Sequence, residues 1–281
     1  MKANREFANL PKSFWGSVRS VSQKVGYSIR GQNLVKVPTI IEIGQAFEDL
    51  HLDPSAIVKD GEETQLAKQL TAYFEYRADI LNTYVEPRLM NVERAKNEYQ
   101  KLYNTLKPTC PIPMNKQKGD KQKIAYLTAI INILVEKHSQ KWPCDYDPRQ
   151  LTTITKDGSP VRTLTRRWDG AVPSPVNPIA IWEIKEYYYT TTFGSRISDG
   201  VYTSLLDGME LKELYENERI EVLHYLMVDA YDTWWGKGKS YLCRLVDMIN
   251  MGYVDEVLFG YEVIERLPKL VRQWQAREQN K

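Results

Sequence analysis

The sequence predicts a mixed α/β fold, in which helices flank a central mixed β-sheet and a further helical region precedes this core. Apolar residues recur at steps of three and four residues between positions 62 and 106, which is the period of an amphipathic helix. From residue 120 onward, helical stretches alternate with short runs rich in β-branched and aromatic residues, as expected for strands packed against helices. We therefore expect an N-terminal helical region over residues 1–106 and an α/β domain over residues 107–281.

Composition and charge restrict the class of protein. The 281 residues are 42% hydrophobic and 26% charged with a net charge of +2, which is ordinary for a soluble globular protein. Cys110, Cys144 and Cys243 are widely spaced, so they indicate neither a disulfide framework nor a zinc site and favour a reducing compartment. The N-terminus lacks the apolar stretch of a signal peptide, and no apolar run reaches the ~20 residues that span a bilayer. We expect a cytoplasmic protein without a membrane partner.

Proline residues divide the N-terminal helical region. Pro38 is placed to open a short amphipathic helix, and Pro87 divides residues 62–106 into two helices because proline interrupts a helix interior. Residues 1–36 are basic, which suits either a solvated face or an arm that reaches DNA phosphates. Supporting the fold, dimerising and embracing a substrate are all open as roles of residues 1–106.

From residue 120 the predicted order is a helix, three strands, a helix, a strand, a helix, a strand and a terminal helix. Asp120 is the expected N-cap of the first helix. Asp157-Gly158 joins the first two strands, and this dipeptide between two β-branched runs predicts a tight hairpin. The predicted bounds are 120–136, 151–156, 161–168, 178–185, 194–215, 221–229, 240–251, 257–259 and 261–279.

Three residues of this region carry the chemistry that we expect. Asp169 directly follows the second predicted strand, and Glu183 and Lys185 lie on the third. Because side chains alternate across a strand, Glu183 and Lys185 share one face, and all three groups can meet at one strand end. Two carboxylates and an ammonium group are the parts needed to hold a divalent metal and to activate a water, and they suit Mg²⁺. Asp157 on the hairpin turn is an alternative to Asp169 as the first metal ligand.

Asp169, Glu183 and Lys185 together resemble the PD-(D/E)XK nuclease motif, and the chain is similar in length and surroundings to a type II restriction endonuclease. The restriction-endonuclease-like core is built as α-β-β-β-α-β, with its acidic residue and its Glu-x-Lys on the second and third strands, as predicted here. The chain departs from the family pattern at Trp168, where the family often has proline. The resemblance covers the chain from residue 120 onward.

This resemblance implies a Mg²⁺-dependent endonuclease that cleaves double-stranded DNA at specific sequences. Asp169 and Glu183 would be the metal ligands, and Lys185 would position the attacking water. A symmetric target cut in both strands favours a homodimer. In many enzymes of the family a carboxylate on the helix before the first core strand assists the metal, which makes Glu136 an accessory candidate. The alternative for Glu136 is a solvent-facing acid.

Two further segments are candidates for DNA contacts. Ser195 and Arg196 follow Gly194 at the start of a predicted helix, where a phosphate or a base edge can be bound, although Arg196 equally suits a salt bridge. Lys237 and Lys239 lie in a predicted basic loop over residues 233–240, which suits either a DNA backbone contact or simple solvation.

The sequence is compatible with two other functions and excludes a third. A structure-specific repair or recombination nuclease of the same superfamily and a non-catalytic DNA-binding or assembly protein are the alternatives to a restriction enzyme. Glu-x-Lys alone is weakly specific, because Glu210-Leu-Lys212 repeats it in a predicted helix and a surface ion pair would explain it equally well. A nucleotide-binding P-loop is excluded, because Thr233 stands where its first glycine would be, so we expect no nucleotide cofactor.

Overall fold

The structure, a computed structural model, describes residues 1–8, 10–29, 31–115, 117, 119–189 and 194–279, and the side chains of Ser195 and Arg196 lie outside that description. Over these residues the chain is a mixed α/β protein with a four-stranded mixed sheet between two layers of helices. The predicted fold class and the flanked mixed sheet are confirmed. None of the described helices is long and apolar enough to cross a membrane.

The N-terminal half is predominantly helical. Its elements are α1 (Lys12–Val25), α2 (Ile40–Asp49), β1 (Val58–Lys59), β2 (Glu62–Glu63), α3 (Gln65–Asp79) and α4 (Val92–Leu106). Thr39 and Glu42 form a capping box at the start of α2, which satisfies backbone amides that have no partner within the helix. Pro87 lies in a short 3₁₀ turn between α3 and α4, so the predicted division of this stretch is confirmed.

The C-terminal half contains the sheet. Its elements are α5 (Tyr126–Ser139), β3 (Thr153–Lys156), β4 (Ser159–Thr163), β5 (Gly170–Val172), β6 (Ala180–Glu186), α6 (Ser195–Glu218), β7 (Leu223–Asp229), α7 (Lys239–Asn250), β8 (Glu256–Phe259) and α8 (Glu262–Gln279). The strand order is β5-β6-β7-β8, with β5 antiparallel to β6 and the other neighbours parallel. Parallel strands are buried on both faces, which explains why β7 reads as a continuous apolar run.

Helices cover the two faces of this sheet. On one face Trp182 of β6 stacks on Trp274 of α8, with ring centroids 5.8 Å apart, and α5 packs beside α8. On the other face Leu226 and Val228 of β7 pack with residues of α6 and α7. Because side chains alternate, Glu183 and Lys185 lie on the α6 side of the sheet, opposite to Trp182.

The strand that follows Asp169 differs from the prediction. Asp157 and Gly158 both have positive φ, so the predicted hairpin turn forms, but β3 and β4 make a separate two-stranded sheet. The predicted strand over residues 161–168 ends at Thr163, because the Thr165 amide bonds to Glu210 on α6 and not to a neighbouring strand. The strand after Asp169 is the short β5, for which no strand was predicted. Gly170 permits its close pairing with β6, since a Cβ there would lie 2.0 Å from the Trp182 ring.

A predicted helix start and a predicted loop are also wrong. Helix α5 begins at Tyr126 rather than at Asp120, because residues 123–125 bond to the extended segment before them and Glu186 of β6 accepts hydrogen bonds from the Thr128 amide and hydroxyl. The predicted basic loop over residues 233–240 is helical. Trp234 and Trp235 are buried, and a π-helical turn over Asp232–Lys237 runs directly towards α7.

A buried ion pair joins the two halves of the chain. Arg77 of α3 donates to both carboxylate oxygens of Asp247 on α7, at 3.1 and 3.2 Å, and the Tyr73 hydroxyl donates to the same carboxylate at 2.5 Å. Arg77 also donates to Ser22 of α1 at 3.1 Å. Arg77 is 1% exposed and Asp247 4% exposed. The N-terminal helices and the sheet layer therefore share a polar contact that water does not reach.

A partly buried acid, Glu186, and a buried acid, Asp229, lie side by side where β6 and β7 end, and they predict a pH dependence of stability. Glu186 and Asp229 are register partners, and burial raises the pKa of each carboxyl to about 7. A raised folded-state pKa destabilises the fold as the pH rises from the ordinary carboxyl range through 7, by ~1.4 kcal/mol per pKa unit. We expect the Glu186→Gln variant to lose less free energy of unfolding than the wild type between pH 5 and pH 8. Urea denaturation at both pH values measures this, and equal losses in both proteins would contradict it.

Candidate active site

The structure brings Asp169, Glu183 and Lys185 together, as the sequence predicts. Gly170 pairs with Trp182, so Asp169 stands opposite Glu183 at the start of the β5–β6 ladder. The Asp169 amide donates to the Trp182 carbonyl at 3.1 Å, and the Ile184 amide donates to Asp169 Oδ2 at 2.7 Å. Residues directly opposite on antiparallel strands have Cβ atoms ~5 Å apart. The two carboxylates are therefore neighbours, and Asp169 is fixed by the backbone of the strand that carries Glu183.

Glu183 is held between two cations. Its Oε1 accepts from Lys185 Nζ at 2.5 Å, and its Oε2 accepts from Arg166 Nη1 at 2.7 Å. Burial raises the pKa of Glu183, but Lys185 and Arg166 outweigh this effect and hold the pKa below its usual range. Glu183 is 7% exposed on an interior strand between β5 and β7, so this is not a surface ion pair on an edge strand.

Arg166 and Asp207 belong to the same cluster, although neither was predicted from the sequence. Arg166 Nε lies 2.9 Å from both carboxylate oxygens of Asp207, and Arg166 Nη2 lies 2.5 Å from Asp207 Oδ2. Burial raises the pKa of Asp207, and the hydrogen bonds from Arg166 offset this only in part. The Arg166 guanidinium also lies over the Trp168 ring, 4.7 Å from its centroid.

The position of Asp207 in the sequence contains a signal that identifies it. Ile197, Val201, Leu211 and Leu214 form the buried stripe of α6, and Asp207 falls on the same stripe at helical spacing. An acid on an apolar stripe is rarely buried without a partner. That pattern predicts a cationic partner for Asp207, but it does not indicate which arginine or lysine supplies it.

Helix α6 forms the wall against which Lys185 lies. A Cβ at Gly200 of α6 would be 3.2 Å from Lys185 Cε and 2.9 Å from the Tyr187 hydroxyl, so the glycine leaves room for both side chains. The Lys185 side chain is 14% exposed. The indole Nε1 of Trp234 donates to the backbone carbonyl of Lys185 at 3.4 Å. The ammonium group therefore has restricted freedom and a narrow opening to solvent.

His224 lies beside the cluster on β7 and is a packed core residue. Its ring meets Trp168 edge-to-face at 5.0 Å, and its Nδ1 is 3.0 Å from the Tyr253 carbonyl oxygen. Burial lowers the pKa of His224 to about 4, so the imidazole is neutral at pH 7. The His224 ring packs against Trp168, over which the Arg166 guanidinium lies. We therefore assign it a packing role and not that of an acid or base.

Other predicted site residues lie apart from this cluster. Glu136 is on α5, across the sheet from Glu183, and accepts hydrogen bonds from the Thr109 amide and hydroxyl. Asp157 lies on the exposed turn of the β3–β4 hairpin, whereas Asp169 lies beside Glu183. The geometry thus associates Asp169, and neither Glu136 nor Asp157, with the Glu-x-Lys strand.

The residues predicted to contact DNA differ in their exposure to solvent. Lys237 is exposed. Lys239 is buried, donates to the Trp235 carbonyl at 2.7 Å and to Asn33 at 2.9 Å, and so does not form part of an open basic loop. The predicted contacts through Ser195 and Arg196 lie outside the described side chains. Arg167, which was not predicted, is exposed two residues before Asp169.

The donor chemistry of the cluster fits a magnesium ion. Asp169 and Glu183 offer hard oxygen ligands side by side, and Mg²⁺ is commonly bound by one or two carboxylates with waters completing its shell. Glu183 already binds two cationic groups, which shows that this position attracts positive charge. Among the described residues no group of three or more His, Cys, Asp or Glu side chains is arranged to hold a metal, and a two-carboxylate site falls below that number.

The fold and the cluster define a class: a mixed α/β protein whose sheet carries buried carboxylates and cations where an antiparallel strand pair joins a parallel one. The chain belongs to the family described as Domain of unknown function (DUF7687), whose model matches residues 90–274. Residues 1–84 match a second model, Domain of unknown function (DUF7690). No curated protein and no solved structure matches the chain.

Proposed function

We propose that the protein is a Mg²⁺-dependent endonuclease of type II restriction type, which hydrolyses phosphodiester bonds of double-stranded DNA. The observation that carries this proposal is the pairing of Asp169 with Glu183 on adjacent strands, with Lys185 bonded to Glu183. The PD-(D/E)XK motif that these residues resemble supports it. The order of the elements, in which α5 is followed by strands β3 to β6 and then by α6 and β7, is compatible with a restriction-endonuclease-like core and also supports the proposal.

Each residue of the cluster has a role in this reaction. Asp169 and Glu183 would hold the cation through carboxylate oxygens. A bound Mg²⁺ supplies positive charge near the phosphate and lowers the pKa of a water. Lys185 orients the attacking water, whose oxygen bonds to phosphorus while one phosphorus–oxygen ester bond breaks. The departing oxygen takes up a proton and the water loses one, so that one new end is a hydroxyl and the other a phosphate.

The proposed partner is double-stranded DNA bound by a homodimer. Cleavage of both strands at a symmetric site requires two active sites related by the same two-fold axis as the DNA. The net charge of +2 over 281 residues requires any basic surface to be local. Arg167 beside Asp169 and Lys237 are exposed cations that suit phosphate contacts.

Incubation of the purified protein with a long unmethylated DNA of known sequence, in Mg²⁺ and in EDTA, tests the proposal. We expect discrete fragments in Mg²⁺ and intact DNA in EDTA, and the fragment ends then give the target sequence. Cleavage of branched DNA but not of any duplex would replace the restriction assignment with a structure-specific nuclease. Intact DNA of both kinds, from a protein shown to be folded by circular dichroism, would contradict the proposal.

A further inference from the structure

Arg166 is bound by two acids from different parts of the fold. Asp207 of α6 accepts from Nε and Nη2, which leaves Nη1 to Glu183 and to the Arg167 carbonyl at 3.2 Å. The Nε and Nη2 atoms of the guanidinium are thus bound to Asp207 on α6, and Nη1 is bound to Glu183, the proposed metal ligand. This arrangement gives Arg166 two separable sets of contacts.

A cation that binds Glu183 competes with these contacts for the same two oxygens. Both of its oxygens are taken, one by Lys185 and one by Arg166. Asp207 is 3% exposed and is paired with Arg166 by three hydrogen bonds, so separating that pair would leave a buried carboxylate uncompensated. Of the contacts of Arg166, the single bond from Nη1 to Glu183 therefore gives way more readily than the three bonds to Asp207.

We infer that Arg166 is a further catalytic residue of this site: it neutralises Glu183 in the metal-free protein, and its Nη1 binds a non-bridging oxygen of the substrate phosphate once Glu183 binds the metal. Asp207 is the positioning residue that holds the guanidinium in place during this exchange. The inference rests on the proposed nuclease function, and it adds to that function a phosphate contact and a competition between arginine and metal.

The exposure of Arg166 supports this assignment. The Arg166 side chain is 25% exposed, so it reaches the opening of the site, and a guanidinium fork matches phosphate geometry. The Trp168 ring beneath it restricts its motion.

Calorimetric titration of Mg²⁺ into DNA-free protein tests the competition without any cleavage assay. The Arg166→Ala protein is expected to bind Mg²⁺ about tenfold more tightly than the wild type, the scale on which one neighbouring charge changes a carboxylate's affinity for a cation. The matched control is Arg162→Ala, which removes another arginine–glutamate pair between β4 and α6, to Glu213 at 3.2 Å, away from Glu183. Its Mg²⁺ affinity should equal that of the wild type.

Cleavage of DNA tests the phosphate contact. Arg166→Ala is expected to lower the single-turnover rate by about 100-fold or more, as for other lost transition-state donors, even though it binds the metal more tightly. Asp207→Asn should lower the rate less, and should have no further effect in the Arg166→Ala background, because a positioning residue acts only through its partner. Arg166→Lys keeps the charge and should recover part of the rate if the alanine variant is poorly folded.

The two proposals fail in different ways. Equal Mg²⁺ affinities of the wild type and Arg166→Ala would overturn the competition whatever the cleavage result. Wild-type cleavage rates in folded Arg166→Ala would overturn the phosphate contact and leave the nuclease assignment in place. Additive effects of the Asp207 and Arg166 substitutions on the rate would overturn the positioning role of Asp207, again without affecting the nuclease assignment. A wild-type protein that cleaves no DNA would overturn the proposed function itself and, with it, the phosphate contact.

Discussion

Replacing Glu183 by glutamine is expected to reduce Mg²⁺-dependent DNA cleavage by about 1,000-fold or more, because the substitution removes a proposed charged ligand of the metal that would activate water and neutralise phosphate. Glutamine has the shape of glutamate, but its single side-chain oxygen can accept from only one of Lys185 and Arg166, and its amide nitrogen cannot accept from the other. The substitution therefore removes a charge and one hydrogen bond at a buried position, and single-turnover cleavage measured beside circular dichroism distinguishes its effect from misfolding.

Lys185→Met is also expected to reduce the rate of Mg²⁺-dependent DNA cleavage. Methionine keeps the unbranched chain that lies against Gly200, but it removes the ammonium group that contacts Glu183. Loss of a group that orients water or stabilises developing charge reduces rates by about 100- to 10,000-fold. Both variants should still bind DNA when Ca²⁺ replaces Mg²⁺, if their effect is on the chemical step.

The second Glu-x-Lys of the chain supplies matched controls. Glu210 of α6 accepts from Thr165, and Lys212 lies 5.5 Å from the Tyr253 ring, so neither contacts the cluster of Glu183. Glu210→Gln and Lys212→Met change the same residue types within the same tripeptide and should cleave at the wild-type rate. Wild-type cleavage by Glu183→Gln, or equal losses in both pairs of variants, would remove the assignment of the active site to β6.

Asp247→Asn is expected to lower the free energy of unfolding by ~3–5 kcal/mol, which is the usual cost of removing one partner of a buried ion pair. The substitution leaves the Arg77 charge buried without a counter-charge, 1% exposed between α1, α3 and α7. Desolvation opposes the charged form of Arg77, and the Asp247 carboxylate outweighs this and raises the pKa of Arg77 in the wild type. Neutral asparagine cannot replace that effect.

Urea denaturation followed by tryptophan fluorescence measures this loss. Asp147→Asn is the control, because the Arg149–Asp147 pair is exposed and such pairs add little to stability. Since Arg77 and Asp247 lie in opposite halves of the chain, we also expect one unfolding transition for the wild type and a less cooperative one for Asp247→Asn. Equal midpoints for the wild type and Asp247→Asn would contradict the stabilising role of the ion pair.

Sequence patterns alone determined the local elements of this protein. The β-branched run of β6, the Asp157-Gly158 turn and the break at Pro87 depend on neighbouring residues, so they are readable without a structure. The alternation of β6 side chains placed Glu183 and Lys185 on one face, whereas Asp169 lies beside them through β5, a strand that the sequence did not predict. For the same reason, the mixed α/β class followed from the order of the elements.

Tertiary structure alone decided how the cluster is completed. Asp207 lies 41 residues after Arg166 in the chain, and Asp247 lies 170 residues after Arg77, so no periodicity or spacing connects either pair. The start of α5 depends on Glu186 from a distant strand, and the Lys239 ammonium group is held by Trp235 and by the distant Asn33. Partners for buried charges are chosen by the packing of helices on the sheet, because a desolvated charge requires whichever opposite group the fold brings within reach.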